Sequence, residues 1–398
     1  MPRPPKTVPA IAAMPGAVYS PLGDRIRLRQ GPVYPLHVGD TWRDPFDGGR
    51  MQDLAQAAHP GIHRYTATQG IPALVDAIVE KVRARNRIAC ERDGVLVTGG
   101  ATAGLAHAVG ALVEPGDEVL ILAPFWPLIR GIAQSWRATP VEVPFFDRVS
   151  CADDALAAVE ARRSERTVAL YVSTPSNPSG RVLPAAWLER FAEWARRHDL
   201  WLLSDEVYEE VIHRGEHVSL ARFAPERTIT SFSFSKTYGM AGYRCGYLVG
   251  PPAVIAEAHK LHTHCTYSAP TPAQYAALAA LRGGDAWLAE TRACYRAAGD
   301  DAARVLGVPE PEGSTFLFLD VRSRLDARGM NGFLEDVFED GVVLSPGASS
   351  GRDYEGFARL CYTAAPPEQV ATAVRLLAAR LGRSPVGRPP LSHPGGAR

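Results

Sequence analysis

Short apolar runs alternate along the chain with longer stretches in which apolar side chains return every three or four residues. GVLVTGG reads as a buried strand, Val95 to Thr98, followed by a turn of small residues, Gly99, Gly100, Ala101 and Thr102, and by a helix from Ala103 to Val113. DEVLILAP is a second strand and ends at Phe125 and Trp126. TVALYVSTP is a third, closed by the turn PSNPSG that carries Asn177, and a helix from Pro184 to His198 follows. The apolar strand Leu200 to Leu203 ends in Asp205, with Tyr208 three residues on. Ser231, Phe232, Ser233 and Phe234 alternate as a strand that delivers Lys236 at its end, and Arg244 stands eight residues further. Strand and helix in alternation predict an α/β fold with a mainly parallel sheet covered by helices on both faces.

Upstream, VYPLHVGD (Val33 to Asp40) reads as a short strand ending in Gly39, and Thr68 opens a helix with Leu74, Ile78 and Val82 on one face. Tyr65, in the loop before it, is either a packed aromatic or a hydroxyl that reaches into a site. Beyond about residue 285 the pattern changes to a long helix, a strand GSTFLFLDV, a helix from Met330 to Asp340, strands GVVLSPG and FARLCYTA, and a helix from Pro367 to Leu381. These form a smaller α+β unit. The expected division is 1–45 (arm and part of the small domain), 46–285 (large domain), 286–383 (small domain) and 384–398 (disordered tail).

Composition narrows the function classes. With 398 residues, 46% hydrophobic and 22% charged, the chain is an ordinary globular protein. A formal net charge of zero gives no electrostatic case for nucleic acid or an anionic membrane. No apolar run is long enough for a transmembrane helix, and the proline-rich start does not read as a secretory signal. The six cysteines lie far apart with no CxxC pair, so a reduced cytoplasmic protein without a metal site is expected. His262, His264 and Cys265 lack metal-ligand spacing and read as packing residues.

The candidate chemistry lies at the carboxyl ends of the strands, the edge where open α/β sheets bind ligands. The Gly100–Thr102 turn at a helix N-terminus suits a phosphate. Trp126 offers a face for stacking on a heterocycle, Asn177 an amide, Asp205 a carboxylate, Tyr208 a phenol and Lys236 an amine. A desolvated lysine beside a cation such as Arg244 loses its proton easily and forms imines with carbonyls. Together this set fits pyridoxal 5'-phosphate, with the aspartate holding the pyridine nitrogen protonated. Arg359 falls in an apolar strand and requires a carboxylate partner, from the protein or from a substrate.

In SFSKTYGMAGYRCGY, STPSNPSG and SDEVYEEV the chain resembles fold-type I pyridoxal-phosphate enzymes of the class I/II aminotransferase family, from about Val33 to Leu381. The resemblance implies an aspartate aminotransferase-like fold and a homodimer whose active sites lie at the subunit interface. It implies that Lys236 binds the cofactor and moves the substrate proton, and that Asp205 pairs with the ring nitrogen. Asn177 and Tyr208 would bond the ring 3′-oxygen, and Trp126 would stack on the ring. Gly100, Ala101, Thr102, Ser233, Ser235 and Arg244 would surround the phosphate, with Tyr65 reaching over from a partner subunit. Arg359 would take the substrate α-carboxylate and Gly39 would cap the pocket. The implied activity is transfer of an α-amino group from an amino acid to a 2-oxo acid.

Two stretches depart from the family pattern, Asp40-Thr41-Trp42-Arg43 after Gly39 and SPGASSG, where Ser350 replaces a frequent aromatic. Both concern the substrate side. The alternative is therefore a pyridoxal-phosphate enzyme of another reaction type, an elimination lyase or a cyclase or oxidase. A cofactor-binding domain of a transcription regulator is disfavoured, because no basic helix-turn-helix is visible before Val33. His37, Trp42, Arg43 and His262 are open between pocket and structural roles.

Overall fold

The computed structural model describes residues 6–14, 16 and 19–382. The tail 384–398 lies outside the described residues. Seven strands form the large sheet: β1 (Val95–Thr98), β2 (Glu118–Ala123), β3 (Thr139–Pro144), β4 (Thr167–Ser173), β5 (Trp201–Asp205), β6 (Thr228–Ser233) and β7 (Gly246–Val249). Their order is β1-β7-β6-β5-β4-β2-β3. Only β7 runs antiparallel to its neighbours, β1 and β6. A second, antiparallel sheet orders β8 (Phe316–Asp320), β10 (Phe357–Cys361) and β9 (Ser345–Pro346) as β8-β10-β9.

Strands β1, β2, β5 (after Trp201) and β6 are buried throughout because helices cover both faces of the sheet. Alternate residues of β2 divide between two cores. Leu120 and Leu122 pack with helices Ala152–Glu160 and Ala185–Arg197. Val119, Ile121 and Ala123 pack with helices Ala101–Leu112, Leu128–Ser135 and Pro252–Cys265. Helices Pro72–Ala84 and Thr271–Gly283 cover the β1, β6 and β7 end. The small sheet has its own core, in which Leu317, Leu319 and Leu360 meet helices Asp285–Leu306, Gly329–Glu339 and Pro367–Arg380. Among the described residues no helix is long and apolar enough to cross a membrane.

Several local expectations are corrected. Val33 to Asp40 is not a strand. Tyr34 makes a single bridge to Val342, Pro35 has no N–H to give, and Leu36 turns back to bond the Tyr34 carbonyl. In GVVLSPG only Ser345–Pro346 is paired as a strand. The helix expected at Thr68 begins at Pro72, because Gly70 takes φ +129° and Pro72 is suited to a first helical turn. Lys236 does not sit at the strand end. β6 stops at Ser233 and the lysine rides on the single helical turn Phe234–Thr237. The edge strand β3 carries two prolines and a glutamate, so its sequence, TPVEVP, lacks an apolar run.

Candidate active site

The carboxyl edge of the large sheet builds an anion cradle first. Gly100 takes φ +84° and caps helix Ala101–Leu112. A Cβ there would collide with the Arg244 guanidinium, so the turn requires glycine. Arg244 itself is left-handed at φ +57°. Its Nη1 donates to the Ala241 carbonyl at 2.8 Å and its Nη2 to that of Gly99 at 3.3 Å. Ser233 Oγ accepts from the Ser235 N–H at 3.1 Å. Free N–H groups at the helix start, one guanidinium and two hydroxyls converge on a space suited to a phosphate.

Lys236 stands beside this cradle, its Nζ donating to the carbonyl of Gly39. Burial holds its pKa below the ordinary lysine value. Arg359 and Arg244 act in the same direction, and Asp40 and Cys361 oppose them. Gly39 approaches closely because it has no side chain, and a Cβ there would lie 2.7 Å from Phe316 Cζ. Asp205, at the end of β5, is 4% exposed. The Tyr171 hydroxyl donates to its Oδ2 at 2.5 Å, yet burial raises its pKa to about 6. Among the described residues no basic group pairs with it. Tyr208 is buried with its ring edge-on to Phe316.

Arg359, on β10, closes the other side. It is 2% exposed. Its Nη1 donates to Asn177 Oδ1 at 3.1 Å and its Nη2 to the His37 carbonyl at 2.7 Å. Among the described residues its Nε has no partner and no carboxylate meets it. The guanidinium lies over the rings of Phe316, 4.6 Å away, and Tyr19, 5.6 Å away. Burial lowers its pKa. Lys236, Asp205 and Arg359 thus border one cavity as an amine, a carboxyl and a guanidinium, none of them in a salt bridge among the described residues.

The same cavity is lined by Gly39, Ala101, Thr102, Trp126, Asn177, Tyr208, Ser233, Ser235 and Arg244. Tyr65 is elsewhere: it is 84% exposed, tilted against Tyr267 at 4.7 Å, and does not line the cavity of its own chain. Of the residues left open, none borders the cavity. His37 serves Arg359 through its carbonyl. Arg43 lies between Trp42 and Trp287 and pairs with Glu290 at 2.9 Å, and His262 packs edge-on to His107. The Ser350 carbonyl accepts from the Phe125 N–H at 2.9 Å. Sequence reasoning missed Tyr171 beneath Asp205, and Tyr19, Val38, Leu105 and Leu128 along the wall. Only Tyr171 had a signal, because a phenol inside an apolar strand must find a partner.

Residues 17–377 match the family described as "Aminotransferase class I and II". The aspartate/prephenate aminotransferase of Thermus thermophilus is 33% identical over 341 residues, 83% of this chain and 86% of that protein. The arginine–pyruvate transaminase AruH of Pseudomonas aeruginosa is 33% identical over 371 residues, 89% of this chain and 92% of that one. Among solved structures, the Thermus thermophilus aspartate aminotransferase with maleate superposes with a TM-score of 0.86 at 28% identity, covering 94% of this chain and all of that one. N-succinyldiaminopimelate aminotransferase from Mycobacterium tuberculosis gives 0.84 at 29% identity, with the same coverage. With a matched fold and relatives aligned along most of its length, the chain belongs to the class I and II aminotransferases and is a pyridoxal-phosphate-dependent aminotransferase.

Proposed function

We propose that this cavity holds pyridoxal phosphate and that the protein moves an α-amino group from an amino acid to a 2-oxo acid with Lys236 as its catalytic amine. The observation that carries the reading is the pair of buried ionisable groups, Asp205 and Arg359, that line one cavity with Lys236 and have no ion partner among the described residues. Each is costly alone and is relieved by a ligand with a protonated ring nitrogen at one end and an α-carboxylate at the other. The donor set fits the cofactor: an anion cradle at Gly100, Arg244, Ser233 and Ser235, an indole at Trp126, and hydrogen-bonding groups at Asn177 and Tyr208. When bound, pyridoxal phosphate supplies an aldehyde that condenses with amines and a ring that withdraws electrons from the substrate α-carbon.

The chain's own residues do the rest. Arg359, fixed by Asn177 and the His37 carbonyl, holds the substrate carboxylate and so orients the Cα–H bond. Lys236, with its pKa lowered by burial, is available as the neutral amine that takes the α-proton and returns it. Asp205 keeps the ring nitrogen protonated, and Tyr171 keeps Asp205 oriented.

We further assign a homodimer in which Tyr65, together with Tyr267, meets the partner subunit and Tyr65 reaches that subunit's phosphate cradle. The exposure of both rings supports this. The division at 1–45, 46–285 and 286–383 and a cytoplasmic location belong to the same reading. The test is spectroscopic. Protein saturated with pyridoxal phosphate should show the visible band of a lysine-bound aldehyde. One amino acid alone should convert the band stoichiometrically, and a 2-oxo acid should restore it. Turnover without any oxo acid would replace this reading by an elimination or oxidation.

A further inference from the structure

The residues before Val33 do not trail away from the site. The Met14 methyl lies 3.0 Å from where a Cβ on Gly131 would stand, so the chain is seated on helix Leu128–Ser135 of the large unit. Further on, Leu22, Ile26 and Val33 pack with Phe338 and Val343 of the small one. Tyr19 falls between these two anchorages and lines the cavity. Its ring lies under the Arg359 guanidinium, 5.6 Å from centroid to guanidinium carbon, and it lines the cavity together with Trp126. One side chain of the N-terminal segment therefore stands at the arginine, in the cavity that the indole also lines.

The charges of the cavity point to what lies under that side chain. Among the described residues three basic side chains line it, Lys236, Arg244 and Arg359. In the aminotransferase reading, on which this inference rests, they serve the aldehyde, the phosphate and the α-carboxylate. None is left for a second carboxylate. The rest of the lining includes Tyr19, Val38, Leu105, Leu128, Val207 and Ala241. The acid that acts on Lys236, Asp40, is negative as well. A distal carboxylate placed there would be desolvated with no counter-ion, whereas a phenyl or branched alkyl group would be buried against carbon.

We infer that Tyr19 is a specificity-determining residue of this site, and that the site takes amino acids with an uncharged apolar or aromatic side chain in preference to dicarboxylic ones. Tyr19 selects by lying over the substrate between Arg359 and Trp126. Without it the substrate side chain borders solvent, while the α-carboxylate still meets Arg359.

The test uses the cofactor-loaded protein and substrate analogues without an amino group, so that binding is read by calorimetry with no turnover. 3-Phenylpropanoate should bind at least about tenfold more tightly than succinate, since a desolvated unpaired carboxylate costs more than that factor. Tyr19→Ala should weaken 3-phenylpropanoate by roughly tenfold or more, the usual cost of truncating a buried aromatic anchor, and leave succinate within about twofold. Tyr19→Phe, which keeps the ring, should retain the preference. In turnover, Tyr19→Ala should raise KM for phenylalanine more than it lowers kcat. Succinate or 5-guanidinopentanoate binding as tightly as 3-phenylpropanoate would overturn the inference, including the case in which a partner subunit brings a cation to the pocket. Equal weakening of all ligands by Tyr19→Ala would overturn it too, since Tyr19 would then only cover the site. If the protein takes up no cofactor, the aminotransferase reading itself fails. If it transaminates and prefers dicarboxylates, only the present inference fails.

Discussion

The cofactor-free protein should carry a measurable destabilisation at Asp205. The carboxyl is buried at the end of β5 and, among the described residues, has one phenol and one distant backbone N–H to meet it, at 2.5 and 3.4 Å, but no cation. Burial raises its pKa from 3.8 to about 6. The folded state therefore holds the proton where the unfolded chain has lost it. Stability from this group is complete below the unfolded value and falls as pH rises through about 6. The rise from 3.8 to about 6 corresponds to about 3 kcal/mol above that window, at about 1.4 kcal/mol per tenfold change in proton affinity. Between about pH 5 and 8 only the last unit titrates, so about 1.4 kcal/mol of the loss falls in a range convenient to measure.

Asp205→Asn removes the charge and keeps an oxygen for the Tyr171 hydroxyl. Urea unfolding of the cofactor-free wild type and variant, compared at each pH, cancels the histidines and every other group that titrates in both. The variant should gain on the wild type by about 1.4 kcal/mol from pH 5 to pH 8 and be the more stable protein at pH 8. Pyridoxal phosphate should then reverse the order, because its ring nitrogen meets Asp205 in the wild type and an amide in the variant. A difference that stays flat with pH, or a variant less stable at pH 8 without cofactor, would refute both the burial argument and the claim that Asp205 awaits a cation.

Three further outcomes follow from the same geometry. Arg359→Met should weaken binding of any 2-amino or 2-oxo acid by about 100-fold, in the range for removing one partner of a buried charge pair, and should not lower the stability of the ligand-free protein. Calorimetry and thermal unfolding check the two halves separately. Gly100→Ala should lower affinity for pyridoxal phosphate by roughly tenfold or more, because the new methyl meets Arg244 at a positive φ. Equilibrium dialysis of the cofactor reads this directly. Lys236→Ala and Tyr65→Ala should each abolish or strongly reduce turnover. Co-refolding them in equal amounts should restore about a quarter of wild-type activity, since half the dimers are hybrid and each hybrid has one intact site. Absence of recovery would place Tyr65 in its own chain's site or outside any site.

How much of this was legible in the sequence depends on where each residue's meaning arises. Gly100, Trp126, Asn177, Asp205 and Lys236 each follow an apolar run, and a parallel sheet brings such positions to one edge whatever the strand order. Their grouping was therefore readable even though β3 and β7 were not, since β3 lies at the far edge and β7 enters as an antiparallel insertion. Gly39 was readable for its close approach but not for its local structure, because Pro35 breaks the strand that its apolar neighbours suggest.

Tyr171 and Tyr19 show two different limits. Tyr171 sits within β4, and the register pairs Ser173 with Asp205 and Tyr171 with Leu203. A phenol two residues before a residue paired to an aspartate lies on the same face of the neighbouring strand, so register alone brings the two together. That inference was open to anyone who had the strand order, and the sequence did not supply it. Tyr19 belongs to a different case. Its surroundings have no apolar period, and Arg359 and Trp126, with which it lines the cavity, are more than a hundred residues away. Nothing local distinguishes it from a surface tyrosine in a proline-rich arm. Its role exists only where that arm passes from the large unit to the small one, and so the substrate side of this site had to wait for the structure while the cofactor side did not.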